Sequence, residues 1–210
     1  VIAEAGVNHN GSLDMALKLI EDLSVDYVVG DQIKGATHEQ VLSALDALAG
    51  FHAQWWDKKE LSSLGWLPVS DAPAYMSAVP EIYRSGLPVL VSEWMGRVPD
   101  KSIAIAQVLE PRFEELMHMF ADGPHTLSHA DTRLDNLFFP KNGSEDVAFI
   151  DFQLCLRGRG INDIAYLVGN SVPRDIAASN WETYIHHWII YIWFSKNIII
   201  YFLNHFINCF

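Results

Sequence analysis

The chain has 210 residues, of which 50% are hydrophobic, and its 26 acidic and 14 basic side chains give a formal net charge of −12. This length allows one full-sized domain with appendages. The acidic balance argues against a nucleic-acid partner, because such binding depends on clustered lysine and arginine. The two cysteines, Cys155 and Cys209, imply no disulfide framework, and no signal peptide is visible at the amino terminus. These features predict a cytoplasmic protein.

The first twenty residues, VIAEAGVNHNGSLDMALKLI, predict a strand, a polar turn and a helix that begins near Ser12. They resemble the start of the sialic acid synthases, which are built on a (β/α)8 barrel. That resemblance would place Glu4, Asn8 and His9 at the carboxyl end of a barrel strand. Only one of the eight β/α units of such a barrel is present, so we interpret these residues as a structural strand and turn.

A helix is predicted from about His38 to Trp56, because apolar residues recur there at spacings of three and four. His52, Trp55 and Trp56, near its end, are interpreted as core packing. The following section is predicted to be loop-rich because prolines punctuate it: Pro68, Pro73, Pro80 and Pro88. A second helix is predicted near 103–119.

The most informative stretch is Leu127–Gln153, which reads LSHADTRLDNLFFPKNGSEDVAFIDFQ. It sets an H-x-D-x-x-x-x-N loop ahead of a short apolar strand that ends in Asp-Phe-Gln. Phosphoryl transfer needs one carboxylate to accept the proton of an attacking hydroxyl. It also needs an amide and a second carboxylate to hold the magnesium that bridges the nucleotide phosphates. These groups would be Asp131, Asn136 and Asp151.

Turn residues between the two apolar runs of this stretch predict a β-hairpin. The hairpin would return Asp151, at the end of its second strand, to Asn136 at the start of the first. Two oxygen ligands near one point suit a hard cation that keeps several waters. The alternative is that Asp131 and Asn136 cap turns in an ordinary surface loop, and that Asp163 caps a helix.

At these residues the chain resembles the aminoglycoside phosphotransferase and choline-kinase-like family, relatives of the protein kinases, over about 19–180. The resemblance implies that Asp131 is the catalytic base and that Asn136 and Asp151 bind magnesium. It also implies that His129 braces the loop.

The same resemblance assigns further roles. In the segment GRGINDIAYLVG, Asp163 would hydrogen-bond back to the catalytic loop. Arg133 would contact substrate or phosphate, with a solvated arginine as an equal alternative. Ala130 replaces the family's usual glycine, and this would strain the loop if its φ is positive. The nucleotide hinge between the two lobes would contain Glu21, Asp22 and Leu23.

The resemblance implies an α+β fold, namely the larger and mostly helical lobe of a protein-kinase-like enzyme with a small catalytic-loop β-hairpin. We expect a synthase-like fragment at 1–20, a phosphotransferase lobe at 21–180 and a tail at 181–210. The small lobe, whose glycine-rich loop and lysine hold the phosphates, has no counterpart in the roughly twenty residues before the linker. The chain as written is therefore expected to be a weak or inactive catalyst.

The tail is dominated by Ile, Phe, Tyr, Trp and Asn, and it differs abruptly from the region before it. One interpretation is a membrane anchor within 185–210, although Lys196 interrupts the apolar run. We favour the other interpretation, that the tail is not part of the fold. Its histidines have no convincing metal-ligand spacing: His186, His187 and His205.

Together these observations predict an ATP-dependent phosphotransferase that uses Mg²⁺ and transfers the γ-phosphate to a hydroxyl of a small molecule. The alternatives are a catalytically inactive remnant or binding module, and a fragment of a sialic acid synthase. The sequence does not identify the acceptor. Glu93, Trp94 and Asp122 are candidates for the wall of its pocket.

Overall fold

The computed structural model describes residues 25–143 and 147–196. Over these ranges the chain is a mostly helical α+β protein, which confirms the predicted fold class. Its helices are α1 (His38–Trp55), α2 (Lys59–Ser63), α3 (Pro73–Trp94), α4 (Asp100–Leu109), α5 (Phe113–Ala121), α6 (Ile161–Ser171) and α7 (Arg174–Lys196). Its strands are β1 (Tyr27–Val29), β2 (Thr126–Ser128), β3 (Leu137–Pro140), β4 (Ala148–Phe149) and β5 (Leu156–Gly158).

The predicted catalytic-loop hairpin is formed by β3 and β4. Leu137 pairs with Phe149, and Phe138 pairs with Ala148, in antiparallel register. Alternate side chains of β3 point into the core, where Leu137 is completely buried. The other edge of β3 pairs with β1, which gives the strand order β1-β3-β4. The sequence analysis did not predict β1, because its partner strand is remote in the chain.

A second, two-stranded sheet is formed by β2 and β5, with Leu127 opposite Arg157 in antiparallel register. β2 leads directly into the loop that begins at His129, and β5 follows soon after Asp151. The segment that carries the predicted site is therefore anchored at both ends in β-structure.

Helix α1 begins with a capping box. Thr37 Oγ1 accepts the N–H of Gln40 (3.2 Å), and Gln40 Oε1 accepts the N–H of Thr37 (3.0 Å). The helix ends within one residue of its predicted end. Its buried face follows the predicted spacing of three and four: Val41, Ala44, Leu45, Leu48, Ala49 and His52.

Helix α7 packs along α1 and completes the core. Tyr184, Trp188 and Ile192 recur every four residues on one of its faces, and they are only 0%, 4% and 0% exposed. The domain boundary predicted after residue 180 falls inside this unbroken helix. The tail therefore belongs to the fold as far as Lys196. This corrects our interpretation that the tail lies outside the fold, for residues 181–196. None of the helices in the described part of the chain combines the length and the apolar character that a membrane span requires.

The prediction of a loop-rich middle section is wrong for the residues that form α3. Pro80 and Pro88 lie inside this helix, where each removes one backbone hydrogen bond. Packing against α5 offsets part of that loss, since the ring of Tyr83 stacks on Phe113 with 4.2 Å between centroids. Tertiary contact thus overrides the local signal of the prolines.

The helix predicted near 103–119 is present as two helices, α4 and α5, joined by a 3-10 turn at Glu110–Arg112. Pro111 lies in this turn and has no N–H with which to continue the helical pattern. From α3, the exposed Arg84 reaches Glu110 (3.1 Å) and Glu114 (3.1 Å). Helices α3, α4 and α5 therefore form one packed group.

Candidate active site

The loop after β2 brings two of the predicted site residues into contact. A 3-10 turn at Leu134–Asn136 folds Asn136 back towards the start of the loop. The Nδ2 of Asn136 donates to Asp131 Oδ2 (3.0 Å) and to the main-chain carbonyl of Asp131 (2.9 Å). Because the amide nitrogen is committed to Asp131, the amide oxygen is the atom that remains to bind another ligand.

Asp151 follows β4 and lies next to the residue that pairs with Asn136. The N–H of Ile150 donates to the carbonyl of Asn136 (3.0 Å), which extends the hairpin by one residue. Asp151 has a left-handed backbone, with φ +62° and ψ +64°, and such strain costs of the order of 1–3 kcal/mol and clusters at functional sites. Its Oδ2 accepts from Gln153 Nε2 (3.2 Å), whereas its Oδ1 is buried without a hydrogen-bond partner.

This buried carboxylate oxygen fits a cation at the site. Burial without a partner is costly, and a bound cation would remove the cost. The carboxylate of Asp151 and the amide oxygen of Asn136 are hard oxygen donors of the kind that Mg²⁺ prefers. Among residues 25–143 and 147–196, no group of three or more His, Cys, Asp and Glu side chains could hold a metal by itself. The donor set therefore suits an ion that completes its coordination with water and phosphate oxygens.

Asp163, in the first turn of α6, ties the loop to the helical core. Its carboxylate is 1% exposed and accepts four hydrogen bonds, each 2.8–3.0 Å long, from the Ser128 hydroxyl, the N–H groups of His129 and Ala130, and His52 Nε2. Burial acts to raise the pKa of Asp163, but the hydrogen bonds from His52, His129 and Ser128 outweigh it and hold the pKa below its ordinary value. The interpretation of His52 as core packing is therefore incomplete, because His52 is also a partner of Asp163.

His129 joins the loop to the hairpin. Its Nε2 donates to the carbonyl of Ile150 (2.8 Å), because a carbonyl can only accept, and its Nδ1 accepts the N–H of Asp131 (3.3 Å). The ring also packs against Phe152 at 4.5 Å between centroids. One neutral imidazole thus links the residue before Asp151 to the backbone of Asp131.

Ala130 has the positive φ at which we expected strain. Its φ is +64°, in the left-handed region that costs about 1 kcal/mol for a residue with a Cβ. The backbone is held there while its N–H donates to Asp163 Oδ1 (2.8 Å). Glycine would satisfy the same geometry without that cost.

The other predicted residues are less closely tied to this cluster. Arg133 is 48% exposed and lies 3.9 Å from the equally exposed carboxylate of Asp135, as expected of a solvated arginine. Glu93 and Trp94 are exposed at the end of α3. Asp122 precedes β2, so it lies at the opposite end of that strand from His129. Several predicted residues lie outside the described part of the chain: Glu4, Asn8, His9, Glu21, Asp22 and Leu23.

Tyr166 is a site residue that the sequence analysis missed. It lies one turn after Asp163 on α6, and its hydroxyl is close enough to Asp131 to feel the charge of that carboxylate. Burial and the negative charge of Asp131 raise the pKa of Tyr166, so the hydroxyl stays protonated beside the carboxylate. The three-residue spacing in Asp-Ile-Ala-Tyr, which puts both side chains on one helix face, was the available signal.

Gln32 was also missed, although it follows the predicted nucleotide hinge by only a few residues. Its Oε1 accepts the N–H of Leu134 (2.8 Å) and the hydroxyl of Ser171 (3.0 Å), and its Nε2 donates to the carbonyl of Asn170 (2.7 Å). Nearby, a Cβ on Gly30 would come within 2.6 Å of the carbonyl oxygen of Leu134. The segment therefore packs closely against the middle of the loop that carries Asp131 and Asn136.

The mostly helical α+β fold, with a polar loop and hairpin that gather an aspartate, an asparagine and a second aspartate, defines a kinase-like protein. The model of the ecdysteroid kinase-like family matches residues 7–191, and the chain belongs to this family. The match confirms the predicted kinase-like relationship, and it includes most of the first twenty residues as well as the tail as far as residue 191. The resemblance to sialic acid synthases finds no support in it. No curated protein and no solved structure matches the chain.

Proposed function

We propose that the protein is a phosphotransferase that moves the γ-phosphate of ATP to a hydroxyl group of a small molecule. The observation that carries this proposal is the closeness of three residues in the loop and the hairpin. Asp131 is hydrogen-bonded to Asn136, and Asn136 pairs with the residue next to Asp151. Membership of a kinase-like family supports it.

Asp131 is the proposed base. Its half-buried carboxylate accepts from the side-chain amide of Asn136, so it is oriented before an acceptor arrives. The acceptor oxygen forms a bond to the γ-phosphorus while the bond from that phosphorus to the β–γ bridging oxygen breaks. The hydroxyl proton passes to Asp131, and ADP is the leaving group.

Asn136 and Asp151 are the proposed ligands of Mg²⁺. When bound, the ion supplies positive charge against the phosphate oxygens, where negative charge accumulates during transfer. The unpartnered Oδ1 of Asp151 and the uncommitted amide oxygen of Asn136 would hold it. His129 and Asp163 position the loop, and the exposed Arg133 is free to contact phosphate or substrate.

The acceptor is proposed to be a neutral or cationic molecule with several hydroxyl groups. A net charge of −12 disfavours an anionic acceptor. The description of the family points to ecdysteroids, which are polyhydroxylated steroids, as one acceptor class. A panel that contains an ecdysteroid, an aminoglycoside and choline would separate this class from the two that the sequence resemblance suggested.

The test is phosphate transfer from γ-labelled ATP to this panel in the presence of Mg²⁺. Asp131→Asn is expected to lower the transfer rate about 10²- to 10⁴-fold, the usual contribution of a general base. Asp135→Asn is the matched control, because it removes the same charge from an exposed position in the same loop. It is expected to leave the rate within about twofold of the wild type.

Equal rates for Asp131→Asn and Asp135→Asn would refute the assignment of the base. If ATP binds but no phosphate moves to any acceptor, the alternative of a nucleotide-binding module without catalysis is supported instead.

A further inference from the structure

A chain of hydrogen bonds runs from α7, through α1, to the carboxylate that holds the catalytic loop. The indole Nε1 of Trp188 contacts His52 Nδ1 (3.1 Å), and His52 Nε2 contacts Asp163 Oδ2 (3.0 Å). All three side chains are at most 4% exposed. Asp163 Oδ2 also accepts the N–H of His129 (2.8 Å), the first residue of the loop.

Chemistry fixes the position of the proton on His52. An indole N–H can only donate, so His52 Nδ1 must accept and carries no proton. The ring proton is therefore on Nε2, where it is donated to Asp163. If it moved to Nδ1, the N–H of Trp188 would face another N–H, and the lone pair of Nε2 would face a carboxylate. The structure is thus compatible with only one neutral tautomer of His52.

The surrounding backbone is shaped around these two rings. A Cβ on Gly160 would lie 2.8 Å from His52 Nδ1 and 3.0 Å from Trp188 Cζ2, so any other residue at this position would displace one ring. The rings meet edge-on, with 5.7 Å between centroids. The hydroxyl of Thr126 on β2 donates to the carbonyl of His52 (2.7 Å). Hydrogen bonds to Trp188, Asp163 and Thr126 therefore hold His52 in place.

We propose that Trp188 and His52 are positioning residues of the active site. The indole N–H of Trp188 keeps a proton off Nδ1 of His52 and orients the ring, and the Nε2–H of this ring completes the set of donors around the carboxylate that holds the catalytic loop. This inference rests on the proposed phosphotransfer function. It assigns a role in that function to the part of α7 after residue 180, which sequence composition had placed outside the fold.

The consequence for the reaction is specific. Without Trp188 as donor, Nδ1 of His52 has no partner and the carboxylate of Asp163 alone orients the ring. The ring can then take up a proton at Nδ1, or turn away from Oδ2 of Asp163 and leave it with one donor fewer. A hydrogen bond to a charged group is worth roughly a tenfold change in an equilibrium. The population of correctly placed Asp131, and with it kcat, is expected to fall by about that factor. Substrate binding does not involve this contact, so KM for ATP and acceptor should change less than twofold.

The test uses the full chain with ¹⁵N-labelled histidine and alanine and compares Trp188→Phe with Trp193→Phe. Trp193 lies on the same helix but is 38% exposed and packs against Phe194, so its substitution is the matched control. Long-range ¹H–¹⁵N spectra at neutral pH report which imidazole nitrogen of His52 is protonated. The backbone amide signals of His129 and Ala130 report the state of the loop.

The expected result is a single Nε2–H tautomer of His52 in the wild type and in Trp193→Phe. In Trp188→Phe, where nothing keeps a proton off Nδ1, we expect a second protonation state of His52 beside the Nε2–H form, shifted His129 and Ala130 amides and the tenfold lower kcat. His52→Gln, which keeps a donor towards Asp163, should recover more activity than His52→Leu.

An Nδ1–H tautomer or an imidazolium in the wild type would overturn the proposal. So would a Trp188→Phe protein whose tautomer and loop amides match the wild type. Both outcomes are read from spectra and do not depend on turnover. If the protein transferred phosphate to no acceptor, the proposed function would be refuted. The protonation state of His52 in the spectra would still test the present inference.

Discussion

Replacement of Asp163 by Asn tests how strongly one buried carboxylate holds the catalytic loop. The side chain is 1% exposed and nearly isosteric with asparagine, so the change removes charge and one acceptor atom while it preserves shape. Oδ1 accepts from the Ser128 hydroxyl and the Ala130 N–H, and Oδ2 accepts from the His129 N–H and His52 Nε2. The new NH2 group must face one of these two pairs of donors.

The Oδ1 side is the cheaper position for the NH2 group. The hydroxyl of Ser128 can rotate to accept from it, so only the N–H of Ala130 loses its partner. An unsatisfied buried N–H costs about 1–3 kcal/mol, and the remaining bonds lose the extra strength of an ionised acceptor, about 1 kcal/mol each. We therefore expect the free energy of unfolding to fall by about 3–5 kcal/mol, a large part of the roughly 5–15 kcal/mol typical of a domain.

Urea denaturation of the wild type, Asp163→Asn and Asp135→Asn measures this loss. Asp135 is 48% exposed, so the control carries the same charge change and should stay within about 0.5 kcal/mol of the wild type. A loss below about 1 kcal/mol for Asp163→Asn, with unchanged amide signals for His129 and Ala130, would show that the carboxylate does not hold the loop.

Three further predictions follow from the same contacts. The pKa of Asp163 is lower in the folded than in the unfolded chain. The stabilising contribution of this carboxylate is therefore complete above the unfolded-state pKa of about 3.9. It is lost as pH falls through the folded-state pKa. The difference in unfolding free energy between wild type and Asp163→Asn should therefore shrink in acid, and a constant difference from pH 6 to pH 3 would contradict this. Ala130→Gly should raise the midpoint of thermal unfolding. Relief of strain at φ +64° slightly exceeds the entropic cost of glycine, so the free energy of unfolding should rise by about 0.5 kcal/mol. A lower midpoint would show that the strain is absent. Gln32→Ala should accelerate hydrogen exchange at the N–H of Leu134, which loses its partner at 2.8 Å. Exchange at the N–H of Val41 in α1 serves as the internal control. Equal protection of the Leu134 N–H in wild type and variant would exclude this contact.

The sequence predicted well where the determinants are local. The catalytic-loop hairpin follows from two apolar runs separated by turn residues, and the register found places Asn136 opposite Ile150, as the position of Asp151 at the strand end required. Helix α1 was predicted from its apolar spacing, and its end lies within one residue of the predicted one. In both cases the stabilising contacts lie between residues close together in the chain.

Sequence reasoning failed where partners are remote or where packing overrides local propensity. Trp188 and His52 are 136 residues apart, and no local pattern links them. Gln32 and Leu134 are 102 residues apart. Composition suggested that the tail was foreign to the fold, yet its aromatic residues up to Lys196 supply one face of a core helix. Pro80 and Pro88 signalled loops, yet both lie within α3.

The position of the bound divalent ion tests the central claim most directly. Mn²⁺ can replace Mg²⁺ as a paramagnetic probe, and substoichiometric Mn²⁺ with ATP should broaden the side-chain amide signal of Asn136 and the backbone signal of Asp151 before any others in the described part of the chain. Asp151→Asn should abolish the effect, whereas Asp135→Asn should retain it. Broadening that is centred elsewhere, or that persists unchanged in Asp151→Asn, would contradict the assignment of this site.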